Sequence, residues 1–200
     1  MIGHGLSLAP PGTARARLHC IAARARACLR EGDQVRLELA AADQERDNAD
    51  ACPEELHDEI GGEYSWGAAG HAMCAATALL ISGDADGAAS HARDAISLHA
   101  QGGTTGGLVS IKARADLACA ELAGGRLDAA QDALGPVWAV APGFRSYPLI
   151  GRLGRTSAAL AVPGYASAQP AADLIEQIRV FSAESAPILA VKGGMLAPGG

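Results

Sequence analysis

Aromatic residues are scarce in this chain: Phe, Trp and Tyr fill 4% of its 200 positions, although 49% are hydrophobic. A β-sandwich draws its cross-strand pairs from aromatic and β-branched residues, so this shortage argues against one. No Cys-x-x-Cys pair occurs, and the five cysteines (Cys20, Cys28, Cys52, Cys74 and Cys119) are odd in number and widely spaced. That pattern argues against a disulfide framework and suits a reducing, cytoplasmic setting. No apolar run approaches the ~18–20 residues that a membrane span needs. The N-terminus lacks the charged start and apolar stretch of a secretory leader. Positive charge is also in short supply, with 16 Lys and Arg against 22 Asp and Glu, a net charge of −6. Direct nucleic-acid binding is therefore not expected, because neutralising phosphates takes a basic surface.

What the chain does have is alanine, with leucine, valine and isoleucine behind it. Alanine is the best helix former, and its small side chain lets helix backbones approach closely. The fold class expected is all-α. Charge is unevenly placed. Residues 1–30 carry five arginines and no acid, whereas residues 31–63 carry twelve acids against Arg36 and Arg46. A basic segment followed at once by an acidic one suits two antiparallel helices that attract each other.

Breakers divide the chain. Residues 1–12 read as a flexible tail ending in Pro10-Pro11-Gly12. Helical apolar spacing then runs over about 13–31 and 34–48, with Gly32 as the stop and Asp33 as the N-cap between them. The acidic stretch 49–62 reads as a loop with a helical turn around Glu54–Ile60. Helices follow at about 63–81 and 85–99, then a glycine-rich linker at 102–107, then helices at about 109–123 and 127–140. Two more, at about 145–161 and 171–184, complete a helical-repeat domain spanning 13–184, and residues 185–200 read as a disordered tail.

An internal repeat is the most informative feature. Ser82-Gly83-Asp84 and the alanine at 88 align with Gly124-Gly125-Arg126 and the alanine at 130, an offset of 42. In both, an alanine-rich helix stops at glycine, turns on a polar residue and restarts. A weaker third copy places Gly32 at the turn and Leu37 at the alanine position. The glycine, the alanine five residues after it, and the small residues Ala76 and Ala118 seven before it resemble the tetratricopeptide repeat. Ala95 meets a later small position of that repeat and Val137 meets it loosely. More specifically, Ala14–Gly32, His91-Ala92-Arg93-Asp94-Ala95, Arg114-Ala115-Asp116-Leu117-Ala118 and Ala171–Phe181 resemble the C-terminal helical region of actinobacterial helix-turn-helix transcriptional regulators. The resemblance implies tandem antiparallel helix hairpins in a short right-handed superhelix. It also implies a regulatory or sensor arm, here without the DNA-binding domain.

No catalytic set, cofactor or metal site is expected. His71 and Cys74 share a helical face, but zinc wants about four ligands at fixed geometry. His19 and Cys20 are adjacent and point about 100° apart on a helix. The Gly102–Gly107 run lacks the Gly-Lys-Ser/Thr ending of a phosphate loop. The candidate partner-binding groove lies on the first helix of each pair. Arg145, Arg152 and Arg155 fall near one helical face, Lys112 and Arg114 lie on an earlier first helix, and Tyr64, Trp66 and His71 could supply an aromatic anchor. The bland reading of the same residues is core capping and surface solvation. The occupant expected is a peptide or protein, acidic to suit the arginines, or a small signal molecule. A homodimerising assembly subunit is the alternative, and an unrecognised enzyme using His71, Cys74 or Cys119 is a third reading. On the groove reading, Arg152→Glu with Arg155→Glu abolishes partner binding and leaves helicity intact.

Overall fold

The computed structural model describes residues 2–49, 66–102, 108–165 and 167–194, with side chains through Asn48 in the first stretch and Ser185 in the last. The Glu54–Ile60 turn, Tyr64 and most of the glycine linker lie outside the described residues. Among those described, all regular structure is helical: α1 (Ile2–Leu8), α2 (Thr13–Cys28), α3 (Gly32–Ala49), α4 (Ala68–Ser82), α5 (Ala85–Ala100), α6 (Leu108–Ala123), α7 (Leu127–Leu134), α8 (Tyr147–Leu160) and α9 (Gln169–Gly194). Short 3-10 turns at Gly135–Val137 and Pro142–Phe144 join α7 to α8. No helix among the described residues is long and apolar enough to cross a membrane.

The helices pack as consecutive hairpins, α2 with α3, α4 with α5, α6 with α7 and α8 with α9. The first helices α2, α4, α6 and α8 also pack on one another in that order, forming one layer of a repeat-like array. The oppositely charged neighbours meet as their sequences imply. Glu38 on α3 sits 2.7 Å from His19 on α2, and Glu45 lies 3.6 Å from Arg15 while accepting the Gly12 amide at 2.8 Å.

Three turns share one geometry. Gly83 and Gly125 have φ of 92° and 77°, a left-handed backbone that L side chains avoid. After each, the next amide reaches back five residues along the chain, Asp84 to the Leu79 carbonyl and Arg126 to the Glu121 carbonyl, both at 2.9 Å. This pairing satisfies the carbonyls that a helix end leaves open. The third copy is displaced from the sequence reading. Its left-handed residue is Arg30, at φ 61°, with the Glu31 amide bonded to the Arg26 carbonyl at 3.0 Å. Gly32 does not stop a helix but begins α3. Counted from these three residues, the repeat becomes regular. Seven before lie Ala23, Ala76 and Ala118; five after lie Val35, Ala88 and Ala130; twelve after lie Ala42, Ala95 and Val137; all nine are fully buried. Leu37, which the displaced register places at the alanine position, is 62% exposed.

Small side chains at those nine places set how closely the layers pack, because a larger residue would push a neighbouring backbone away. In α4 every residue from Ala69 to Leu79 is buried, so this helix is enclosed all round. The interior gains larger side chains toward the C-terminus, where Leu134, Val137, Leu149, Leu153, Leu160, Leu174, Ile178 and Phe181 form the main cluster. At both ends more is helical than breaker counting suggests. Residues 2–8 form α1, packed on α2, with Gly5 against Leu18 and the Ala9 carbonyl accepting from Arg15 Nε at 3.1 Å. Helix α9 continues past residue 184 to Gly194.

Candidate functional site

The first-helix layer carries the charged side chains of interest. Arg152 on α8 reaches across α6 to α4, its Nη2 donating to Thr77 Oγ1 at 2.9 Å. Between the two lies Asp116 on α6, fully buried. Its Oδ2 accepts from Arg152 Nε at 2.9 Å and from Thr77 Oγ1 at 2.6 Å, and its Oδ1 accepts from Arg155 Nη2 at 3.1 Å. Arg152 also donates to the Pro148 carbonyl at 3.1 Å. Three successive repeats are thereby tied through one carboxylate.

More cations border this network. Burial pushes the Cys74 thiol above its ordinary pKa, while the fields of Arg24 on α2, Arg152 on α8 and Lys112 on α6 act on it from both sides and oppose the shift. Arg24 is exposed. Arg17, two turns earlier on α2, stacks over the Trp66 ring at 5.5 Å from its centroid. Positions 17, 21, 24 and 28 form one stripe of α2 with Ile21, Arg24 and Cys28 exposed, so Arg17 and Arg24 look out on the same side. Arg152 and Arg155 thus share the Asp116 carboxylate, Arg24 and Lys112 act on the neighbouring Cys74, and Arg17 stands farther along α2 against Trp66. Arg155 is 40% exposed, and its Nε is buried without a hydrogen-bond partner.

The sequence-level candidates divide on this map. Lys112 and Arg152 both act on Cys74 and Arg155 joins Arg152 on Asp116, while Trp66 packs under Arg17, its carbonyl accepting from Arg46 at 2.7 Å. Arg114 is two residues from Lys112, about 200° around the helix, and so does not share its face. Arg145 is not on α8 at all. It closes the Pro142–Phe144 turn, buried, donating to the Val140 and Phe181 carbonyls at 2.8 and 3.0 Å and to Glu184 at 2.9 Å, with its guanidinium 3.7 Å from the Phe181 ring centroid. The helix expected to start at 145 starts at Tyr147, which removes Arg145 from the arginine stripe. Burial of Arg152 also makes Arg152→Glu a test of folding, since a carboxylate there would face Asp116. The residues that sequence reasoning passed over are Arg17, Arg24, Thr77 and Asp116. An aspartate inside the alanine-rich run of α6 was the available signal, because a charge there needs a partner.

His71 belongs to another place. Its Nε2 donates to Asp43 Oδ1 at 2.8 Å and its Nδ1 lies 3.7 Å from Cys20 Sγ, joining α4 to α3 and α2. Burial holds the imidazole below its ordinary pKa, outweighing the Asp43 contact that favours the charged ring. Burial likewise drives the Cys20 thiol far upward, with Cys74 and Asp43 adding to the effect. A nucleophilic thiol needs the opposite shift and some exposure, whereas Cys20 has none. The Cys20–His71–Asp43 line is a hydrogen-bond chain that runs from the buried Cys20 and His71 out to the exposed Asp43. Beside it a cleft of about 470 Å³ opens between α3, α4 and α5, with Asp43, Asp47, Asp94 and Arg46 on its walls. Among the described residues no three side chains of metal-ligand type converge on a metal position.

No family model, curated protein or solved structure matches the chain.

Proposed function

We propose that this chain is a non-catalytic binding module whose first-helix face receives an acidic protein or peptide partner. The observation that carries the reading is the set of cations on the first helices, Arg17 and Arg24 on α2, Lys112 on α6 and Arg152 and Arg155 on α8, in a chain whose net charge is −6. Holding cations on one layer costs self-repulsion, which an anionic partner relieves. The regular hairpin repeat and the resemblance to regulator C-terminal regions favour a role as the sensor arm of a transcriptional regulator, or as a stand-alone adaptor. Nucleic acid is the less favoured polyanion, because the rest of the surface is acidic.

The test is a thermal-shift screen of the purified chain against acidic, neutral and basic peptides. A partner that binds the folded state raises the midpoint by mass action, by about 2.7 kcal/mol of stability at a hundred times Kd. The acidic set is expected to raise it and the basic set not. A shift with basic peptides alone would move the site to the acidic cleft beside His71 and overturn this assignment.

A second reading, self-assembly, is favoured by the C-terminal end. There Phe144, Tyr147 and Val180 are 70%, 59% and 41% exposed, close to a cavity of about 320 Å³ bordered by Trp138, Phe181 and Arg145. A dilution-resistant dimer in solution, broken by Phe144→Glu, would favour it.

A further inference from the structure

Exposed apolar side chains sit at the two ends of the array and not between them. Among the described residues, the large ones are Leu8, Ile21, Leu29 and Leu37 at the first end, and Phe144, Tyr147, Val162 and Val180 at the last. Helices α4 to α7 carry none. A helical array closes with a polar outer face on its terminal units, and neither end does so here.

The first end holds a cleft. On α2, Ile21, Ala25 and Leu29 recur every four residues on the side opposite the buried Ala16, Ala23 and Ala27. Ala23 and Ala27 pack with Ala75, Ala78 and Leu79 of α4, so the stripe faces away from the array. Helix α1 covers it in part, yet no residue of α1 is buried. Between α1, α2 and α3 a cavity of about 380 Å³ is left, with Ile2, Leu6, Ala22, Ala25 and Leu29 as apolar walls. The two charged residues on its border are already paired, Arg26 with Glu31 and Glu38 with His19, each at 2.7 Å. The last end holds a knob. Phe144, on the turn ahead of α8, is 70% exposed in a chain with two phenylalanines, and aromatic anchors carry much of the energy of protein contacts.

Deepening the self-assembly reading above, on which it rests, we propose that copies of this chain associate head to tail, Phe144 of one copy seated in the α1–α2 cleft of the next. Charge sets the direction. Residues 1–30 hold five arginines and no acid, whereas α9, among its described side chains, exposes Asp173, Glu176 and Glu184 against Arg179. Contact between like ends sets base on base or acid on acid, and contact between unlike ends sets opposite signs together. Shape agrees, because a cleft complements a knob and neither complements itself. The cavity bordered by Trp138 and Phe181 is the rival seat for Phe144. Its walls include Arg145, Gln177 and Glu184, and a contact there brings two acidic α9 surfaces together. A head-to-tail contact is heterologous: every pair keeps one unused cleft and one unused Phe144, so growth does not stop at two copies.

The experiment is sedimentation velocity of the full chain over a wide concentration range, repeated with Leu29→Glu and Phe144→Glu. Both positions are exposed, and each variant is checked for unchanged helicity. The unaltered chain is expected to grow through dimers to larger species as concentration rises. Each variant alone has one working end and is expected to associate at least tenfold more weakly. Mixed in equal amounts, the two are expected to form a dimer and nothing larger, because the intact cleft of Phe144→Glu accepts the intact Phe144 of Leu29→Glu. That recovery also shows that both variants are folded. A dimer broken by one variant and untouched by the other is a contact between like ends; it overturns the head-to-tail proposal and leaves the self-assembly reading standing. Association lost in both variants and not restored by mixing overturns the proposal as well. An unaltered chain that stays monomeric throughout overturns both.

Discussion

Replacing Asp116 with alanine removes the acceptor shared by Arg152, Arg155 and Thr77. Arg152 is 5% exposed and Asp116 wholly buried, so the variant leaves a guanidinium inside the protein with Thr77 and a helix carbonyl as its remaining partners. Breaking a buried pair on one side typically costs about 3–5 kcal/mol, because the surviving charge has lost its compensation. The Arg155 contact adds little, since that side chain is 40% exposed and screened by solvent. At about 2–4 °C per kcal/mol for a domain of this size, the thermal midpoint should fall by roughly 10 °C. Urea unfolding followed by circular dichroism at pH 7 measures the loss directly. The paired variant Asp116→Leu with Arg152→Met removes both charges and should recover most of it, to within about 1–2 kcal/mol of the unaltered chain. A loss below about 1 kcal/mol for Asp116→Ala would refute the view that this network ties three repeats together.

Acidification should act through His71. Burial holds its folded pKa below the ordinary 6.5, so its contribution to stability is complete above pH 6.5 and is lost as the pH falls through the folded value. The drop in urea midpoint between pH 7.5 and pH 5 should be smaller in His71→Gln than in the unaltered chain, and equal drops would contradict the assignment. At the first glycine turn, Gly83→Ala forces a side chain onto φ 92° and should cost about 1 kcal/mol, whereas Gly154→Ala, in α8 with open space at its Cβ, should be neutral or stabilising. Asp84 accepts the Gly87 amide at 2.9 Å as the N-cap of α5, and Asp84→Ala should lower stability by about 1 kcal/mol in the same urea assay.

Much of the fold was legible because its signals are local. Glycine ends helices for a reason confined to one residue, and the 42-residue offset between Gly83 and Gly125 survives in the backbone. The third turn was misplaced by two residues because Arg30, not a glycine, takes the left-handed position. A polar residue can occupy that region at modest cost, so glycine counting overlooks it. The candidate site was less legible. Lys112, Arg152 and Arg155 were reachable from helical spacing, but the meeting of Arg152 and Arg155 with Asp116 and Thr77 depends on how α4, α6 and α8 stack, which spacing within one helix does not encode. Arg145 shows the reverse error. Its distance from Arg152 fits two helical turns, yet Pro148 fits the first turn of a helix, and α8 begins only at Tyr147. The contribution of α2 was missed because Arg17 and Arg24 were counted as charge and not placed on a face.

The central claim is that the exposed arginines of the first-helix face bind an acidic partner. Arg24 tests it most directly, being exposed and taking no part in the hydrogen bonds of the Asp116 network. Calorimetric titration of the best acidic peptide into the unaltered chain and into Arg24→Glu should show at least a tenfold loss of affinity, with helicity and thermal midpoint unchanged. Equal affinity in the two proteins would contradict the account.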